Sequence, residues 1–351
     1  MTEHALFDLA VDREVKKVTG FRKVAQEMTG DQLRELFGRQ KESAPKLHEA
    51  EKKYFGEHTG DLANAPKTDR DEHLVVALHN YCKDNGALEL PDGTSLDLFD
   101  YQVGLRTDKD DKNVKPIDLL GITDEGRLAV VVLKFVPPQA TRGTTGETPL
   151  RAVLEGLAQC AAIEANRADI IADAKSELKR DVADETPLIL IAANLRYWEL
   201  CRKRDAQSGA AWINQIERLA KEVEIASGVE IRFLGIELSG DPGWITAETR
   251  PELQGEPEVL TAWEPGAGRP KPKRARRDSA NEIVEADPSR PTRKYEMIEI
   301  FTSGDTIDHH TLGKGVVQRS LGPLKIEVLF DGQRKVLVHG REPVGQPASA
   351  D

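Results

Sequence analysis

The chain has 351 residues, with 49 Lys and Arg against 60 Asp and Glu, a net charge of −11, and 39 % hydrophobic residues. That length holds two domains or more, and no apolar run approaches a membrane span, so no membrane partner is expected. The negative balance argues against wholesale coating of nucleic acid but leaves room for a local site. The N-terminus lacks a basic segment followed by a long apolar core. Cys82, Cys160 and Cys201 are isolated, without zinc-type spacing, and both features point to a cytoplasmic protein.

Residues 1–66 read as helical and polar, with a good helix start at Thr29, Gly30 and Asp31. Their few apolar residues predict an extension packed on the following domain. From 67 to 240 the pattern alternates. A helix over 71–83 carries the apolar stripe Leu74, Val75 and Leu78, and a strand follows near 99–105. Two apolar runs then flank Asp124, Glu125 and Gly126, the pattern of a β-hairpin.

Asp118 stands at the start of the first run and Lys134 at the end of the second. In an antiparallel pair these positions lie together, so the hairpin brings a carboxylate and an ammonium to one end of an apolar sheet. Burying either alone is costly. A structural ion pair at a strand end is one reading of them; chemistry is the other.

Beyond the hairpin comes a polar loop over 137–149, then a long helix over 150–178. An apolar strand at 187–193, of the kind buried on both faces, a helix over 210–226 and a strand over 229–238 complete the order. Tyr197 and Trp198, just after the central strand, read either as core packing or as a stacking platform for bases.

Pro116, Ile117 and Asp118, followed by Val132, Leu133 and Lys134, resemble the paired-strand motif of the PD-(D/E)xK nuclease superfamily. The element order resembles its αβββαβ core, extended by one α/β unit. The resemblance implies a Mg²⁺- or Mn²⁺-dependent phosphodiesterase in which Asp118 holds the metal and Lys134 orients the attacking water. Val132 departs from the motif, because valine stands where the family has Glu or Asp and cannot bind a metal. A carboxylate relocated to a neighbouring helix would complete the site, and Glu72 and Glu155 are the candidates. Helices in a chain this charged carry many solvated Glu, and each of the two is also readable that way. Gln159, one turn after Glu155, and Arg142 in the polar loop are candidate substrate contacts, Arg142 for a phosphate.

Residues 241–294 are rich in Pro, Gly and charge and predict a disordered linker. Its basic run, from Arg269 through Lys271, Lys273, Arg274 and Arg276 to Arg277, is either a nucleic-acid-binding arm or a solubilising tether. Residues 295–345 alternate short strands with Gly and Asp-Gly turns, which predicts a small all-β barrel. From Gly304, Asp305 and His309 through Gly313, Gly315, Phe330 and Gly332 to Leu337, the segment resembles the Tudor/SH3-like modules of UvrD-type helicases and CarD-type regulators. That resemblance implies a protein partner, such as RNA polymerase or a repair complex. His309, His310 and His339 lie at strand ends without a supporting Cys and make a poor zinc set.

The expected architecture is thus α/β, with a helical N-terminal extension, a nuclease-like domain, a linker and a small SH3/Tudor-like barrel. The expected function is nucleic-acid processing. The alternative is a catalytically inactive nuclease-like adaptor that binds nucleic acid or the transcription or repair machinery.

Overall fold

The computed structural model describes residues 4–55, 58–62, 70–109, 111–141, 146–203, 211–263, 283–322 and 324–340. The chain divides into two compact units, Met1–Pro270 and Lys271–Asp351. The first is mixed α/β. Helices α1 (Ala5–Ala10), α2 (Arg13–Lys16), α3 (Gly20–Glu27), α4 (Gly30–Glu42) and α5 (Asp71–Asn85) precede strands β1 (Leu88–Glu89), β2 (Ser95–Val103), β3 (Ile117–Thr123) and β4 (Leu128–Lys134). Next come α6 (Pro149–Ala165), α7 (Arg167–Glu177), β5 (Leu188–Asn194), α8 (Leu195–Lys203), α9 (Ala211–Ser227) and β6 (Ile231–Glu237). The unit ends with β7 (Trp244–Ala247), β8 (Arg250–Leu253) and β9 (Glu258–Thr261).

Seven strands form one sheet in the order β1-β2-β3-β4-β5-β6-β9. Pairing is antiparallel from β1 to β4, parallel from β4 through β6, and antiparallel again at β9. Successive side chains of a strand point to opposite faces, and here both faces are covered. Val130, Val132, Ile189 and Ile191 pack towards α6 and the N-terminal helices. Val131, Leu133 and Leu190 pack with Leu74 and Leu78 of α5 and with Trp244. That double cover explains why every residue of β4 and β5 is buried. Helix α6 lies close on the sheet at Gly156, where a Cβ would come within 2.6 Å of Ile189 Cγ2 and 3.3 Å of Val132 Cγ2.

Three boundaries differ from the expected ones. The N-terminal helices pack on the following domain but share its core more deeply than an extension would: Leu6, Phe7, Val15 and Leu33 belong to the same cluster as α6 and β4. Their apolar residues are sparse, but they converge on one face in space. Residues 244–261, assigned by composition to the linker, form β7, β8 and β9, and β9 extends the main sheet. Strands of four residues separated by Gly and Pro carry too short a period to be told from a linker. Third, the long helix breaks at Asn166, whose buried amide donates to the carbonyls of Pro45 (3.0 Å) and Ala162 (2.7 Å).

The second unit contains β10 (Arg293–Lys294), β11 (Thr306–His309), β12 (Gly313–Gly322), β13 (Lys325–Phe330) and β14 (Gln333–Val338), hydrogen-bonded in that order. Phe301, Ile307, Val317, Ile326, Val328 and Phe330 fill its core. The sheet is nearly closed: Tyr295 Oη donates to Val338 O at 2.6 Å and Gly340 N to Glu299 O at 3.0 Å. Folded backbone begins before residue 295, because Val284 N donates to Gln318 Oε1 at 2.8 Å. The basic run between Arg269 and Arg277 lies outside the described residues.

Candidate functional site

Charged side chains meet at the end of the β3–β4 hairpin, beneath the first turns of α6. Leu119 pairs with Val131, and continuing that register sets Asp118 across from Val132. No carboxylate is available on the β4 side. Val132 is 1 % exposed and part of the core facing α6. Asp118 turns instead to the backbone, and its Oδ2 accepts the Leu133 N–H at 2.9 Å.

Lys134 lies on the same face two residues on and is buried. Its Nζ contacts Glu155 Oε2 at 2.8 Å and Glu147 Oε2 at 3.0 Å. The expected Asp118–Lys134 pairing is therefore replaced by pairing of Lys134 with α6 and the residue just before its cap. Helix α6 starts at that point because Thr148 caps it, its side chain accepting the Arg151 N–H at 3.2 Å, with Pro149 in the first turn. Proline tolerates that position because the N–H it lacks has no helical partner there.

Glu155 is 4 % exposed and closed by cations on both oxygens. Lys134 takes Oε2; Arg151, one turn earlier, donates to Oε1 at 2.9 Å. Arg151 also donates to Gly146 O at 2.9 Å and pairs with Glu147. Three carboxylates (Asp118, Glu147, Glu155) thus face two cations.

The electrostatics follow from this layout. Burial pushes the Asp118 carboxyl up to about 6, with Glu155 and Asp71 adding to the rise while Lys134 and the Leu133 N–H oppose it. Burial works the same way on Glu155, but Lys134 and Arg151 outweigh it and hold that carboxyl below the usual glutamate range. Burial disfavours the charge on Lys134; Glu155, Glu147 and Asp118 more than compensate and hold it above the usual lysine range.

Of the predicted site residues, the structure gathers Asp118, Lys134 and Glu155. Glu72 is exposed in the first turn of α5, and it is the neighbouring Asp71 whose charge acts on Asp118. Gln159 is no surface contact for substrate. It is 2 % exposed, and its Nε2 donates to Pro116 O at 2.8 Å, which anchors the strand leading to Asp118. Arg142 lies outside the described residues. Tyr197 and Trp198 are core, each 1 % exposed, and Trp198 Nε1 donates to Leu234 O at 2.9 Å. Neither face is open to a base. Sequence reasoning missed Arg151 and Glu147, although 147, 151 and 155 follow the i, i+4 spacing of helical ion pairs.

A Mg²⁺ or Mn²⁺ ion requires oxygen ligands in near-octahedral geometry. The donor set in this arrangement does not fit one. Both oxygens of Glu155 are engaged by cations, Glu72 is exposed, and one oxygen of Asp118 holds a backbone N–H. Among the described residues no group of three or more His, Cys, Asp or Glu side chains is placed to hold a metal. In the second unit, His309 stacks on Tyr295 (4.8 Å) and His310 (4.6 Å), and its Nδ1 accepts the Thr311 N–H at 3.2 Å. His339 Nδ1 accepts the Phe301 N–H at 3.1 Å. Among the described residues, no helix is long and apolar enough to cross a membrane.

Comparison with protein-family models, with curated proteins and with solved structures gave no match.

Proposed function

We propose that this chain is a nuclease-like adaptor that binds nucleic acid without hydrolysing it, and that its C-terminal unit contacts a protein partner of the transcription or repair machinery. The reading is carried by Glu155: the relocated carboxylate that a PD-(D/E)xK-like site needs is neutralised by Lys134 and Arg151. Val132 supports it, because the motif position is filled by core packing. The succession α5-β2-β3-β4-α6-β5 supports the nuclease-like ancestry, as it follows the αβββαβ order. For the C-terminal unit the support is its nearly closed small sheet and the exposed apolar side chains Met297, Ile298 and Ile300 on one loop, a composition suited to protein contact.

The rival reading, a Mg²⁺-dependent phosphodiesterase, draws on the placement of Asp118, Lys134 and Glu155 around one point. Fluorescence anisotropy with labelled DNA and RNA oligonucleotides separates the two, with and without Mg²⁺, followed by gels of the same samples. Binding that weakens with salt, persists in EDTA and leaves the oligonucleotides intact is expected. Mg²⁺-dependent cleavage lost in Asp118→Ala, or no binding to either nucleic acid, overturns the proposal.

A further inference from the structure

Strand β1 pairs only with Ser95 and Leu96 of β2. From Asp97 onward the outer edge of β2 has no strand beside it among the described residues. β2 carries a bulge there, between Leu98 and Asp100, and bulges are common where a strand re-aims a side chain next to a site. A cavity of about 710 Å³ lies against this stretch, within the size range of small-molecule sites. His79 and Lys83 of α5 line it, one turn apart and so on one helix face. Phe99 and Asp100 of β2 line it as well.

Two of these side chains are buried and incompletely bonded. Asp100 is 2 % exposed; its Oδ1 accepts the Tyr101 N–H at 2.8 Å and pairs with His58 Nε2 at 2.9 Å. Its Oδ2 has no hydrogen-bond partner among the described residues, and neither has Nδ1 of His79, which is 5 % exposed. A buried polar atom left unpaired costs about 1–3 kcal/mol, so two on one cavity wall point to a shared partner. Burial, with Lys83 and His58 adding to it and Asn80 and Asp100 opposing, holds His79 below the usual histidine range. The ring is then neutral near neutral pH, and Nδ1 accepts in the tautomer protonated at Nε2. Both atoms therefore want a donor.

Charge narrows the ligand further. Arg180 and Asp97, also in the lining, offset each other at 2.6 Å. Lys83 is exposed and makes no ion pair among the described residues. What remains is a buried anion and an exposed cation on one cavity, with Phe99 and Leu178 as apolar wall.

We propose that this cavity binds a small zwitterion, an α-amino acid or dipeptide with an apolar side chain. Its ammonium donates to Asp100 Oδ2 and His79 Nδ1, its carboxylate meets Lys83, and its side chain packs on Phe99 and Leu178. An ammonium carries three donors and no acceptor, and charge-assisted hydrogen bonds are the strong ones. The site shares no residue with the cluster around Glu155, so its test stands apart from the adaptor reading.

The test is isothermal titration of L-phenylalanine and of L-leucyl-L-phenylalanine into the full-length protein. N-acetyl-L-phenylalanine and phenethylamine serve as controls, each lacking one of the two charges. At least one zwitterion is expected to bind with a Kd of about 1 mM or tighter, and each control at least about tenfold more weakly. The tighter of the two zwitterions tells a free amino acid from a peptide. Lys83→Gln alters an exposed side chain; it is expected to weaken the zwitterion about tenfold and to leave phenethylamine unchanged. Asp100→Asn keeps an oxygen for the Tyr101 N–H, replaces Oδ2 with a donor, and should abolish binding. No binding of either zwitterion to wild type overturns the proposal. So does N-acetyl-L-phenylalanine binding as tightly as L-phenylalanine, or a Lys83→Gln variant that binds the zwitterion as wild type does. If Asp100→Asn is unfolded, Lys83→Gln and the two controls decide.

Discussion

Lys134→Met is expected to destabilise the first unit by about 3–5 kcal/mol, the usual cost of removing one partner from a buried ion pair. The ammonium lies 2.8 Å from Glu155 and 3.0 Å from Glu147, and Glu155 has almost no access to water. Deleting the charge leaves Arg151 to hold Glu155 alone and removes the cation nearest Asp118 in electrostatic effect. The double variant Lys134→Met/Glu155→Gln should recover part of the loss, because the pair is coupled and its effects are not additive. Urea denaturation of wild type, Lys134→Met, Glu155→Gln and the double variant measures both effects. A Lys134→Met midpoint equal to wild type would mean that the ammonium reaches solvent.

The second large effect concerns the motif position. Val132→Glu would complete, on paper, the motif that the hairpin resembles, but in this fold it places a carboxylate where a 1 % exposed valine packs. The wall opposite is close, since a Cβ at residue 156 would already approach Val132 Cγ2 to 3.3 Å. An added carboxylate has no room there without displacing α6, and an enclosed charge costs several kcal/mol. The expected outcome is a loss of about 3 kcal/mol or more in chemical denaturation, with no gain in Mg²⁺-dependent cleavage. A variant as stable as wild type that cleaves DNA in Mg²⁺ would show that position 132 opens to the site.

Much of the central sheet is legible in the sequence because its signals are local. Asp124, Glu125 and Gly126 mark the β3–β4 turn, where Gly126 takes φ +83° and donates its N–H to Thr123 O at 2.9 Å. The apolar run at 187–193 declares a strand covered on both faces, and β5 occupies Leu188–Asn194. What remained hidden depends on distance in the chain. Nothing in Leu6 or Leu33 announces that they join Val132 in one core. The four-residue strands β7 to β9 carry no period long enough to separate them from a linker.

At the site, Asp118, Lys134 and Glu155 were readable as charges interrupting apolar runs. Their pairing was not, because Lys134 takes its partners from α6 rather than from β3. Arg151 looks in the sequence like one more charge on a charged chain; only the packing of α6 on the sheet shows that it closes the carboxylate. Glu72 and Asp71 are adjacent, and which of them acts on Asp118 depends on the rotation of α5, which the sequence alone leaves open.

The closed state of Glu155 is tested most directly by titrating Mg²⁺ and Mn²⁺ into the full-length wild-type protein beside Asp118→Ala. Flat isotherms for both proteins are predicted, because two cations already occupy the carboxylate that a metal would need. Binding in the wild type that disappears with Asp118 would contradict the closed site and return the chain to the metal-dependent nucleases.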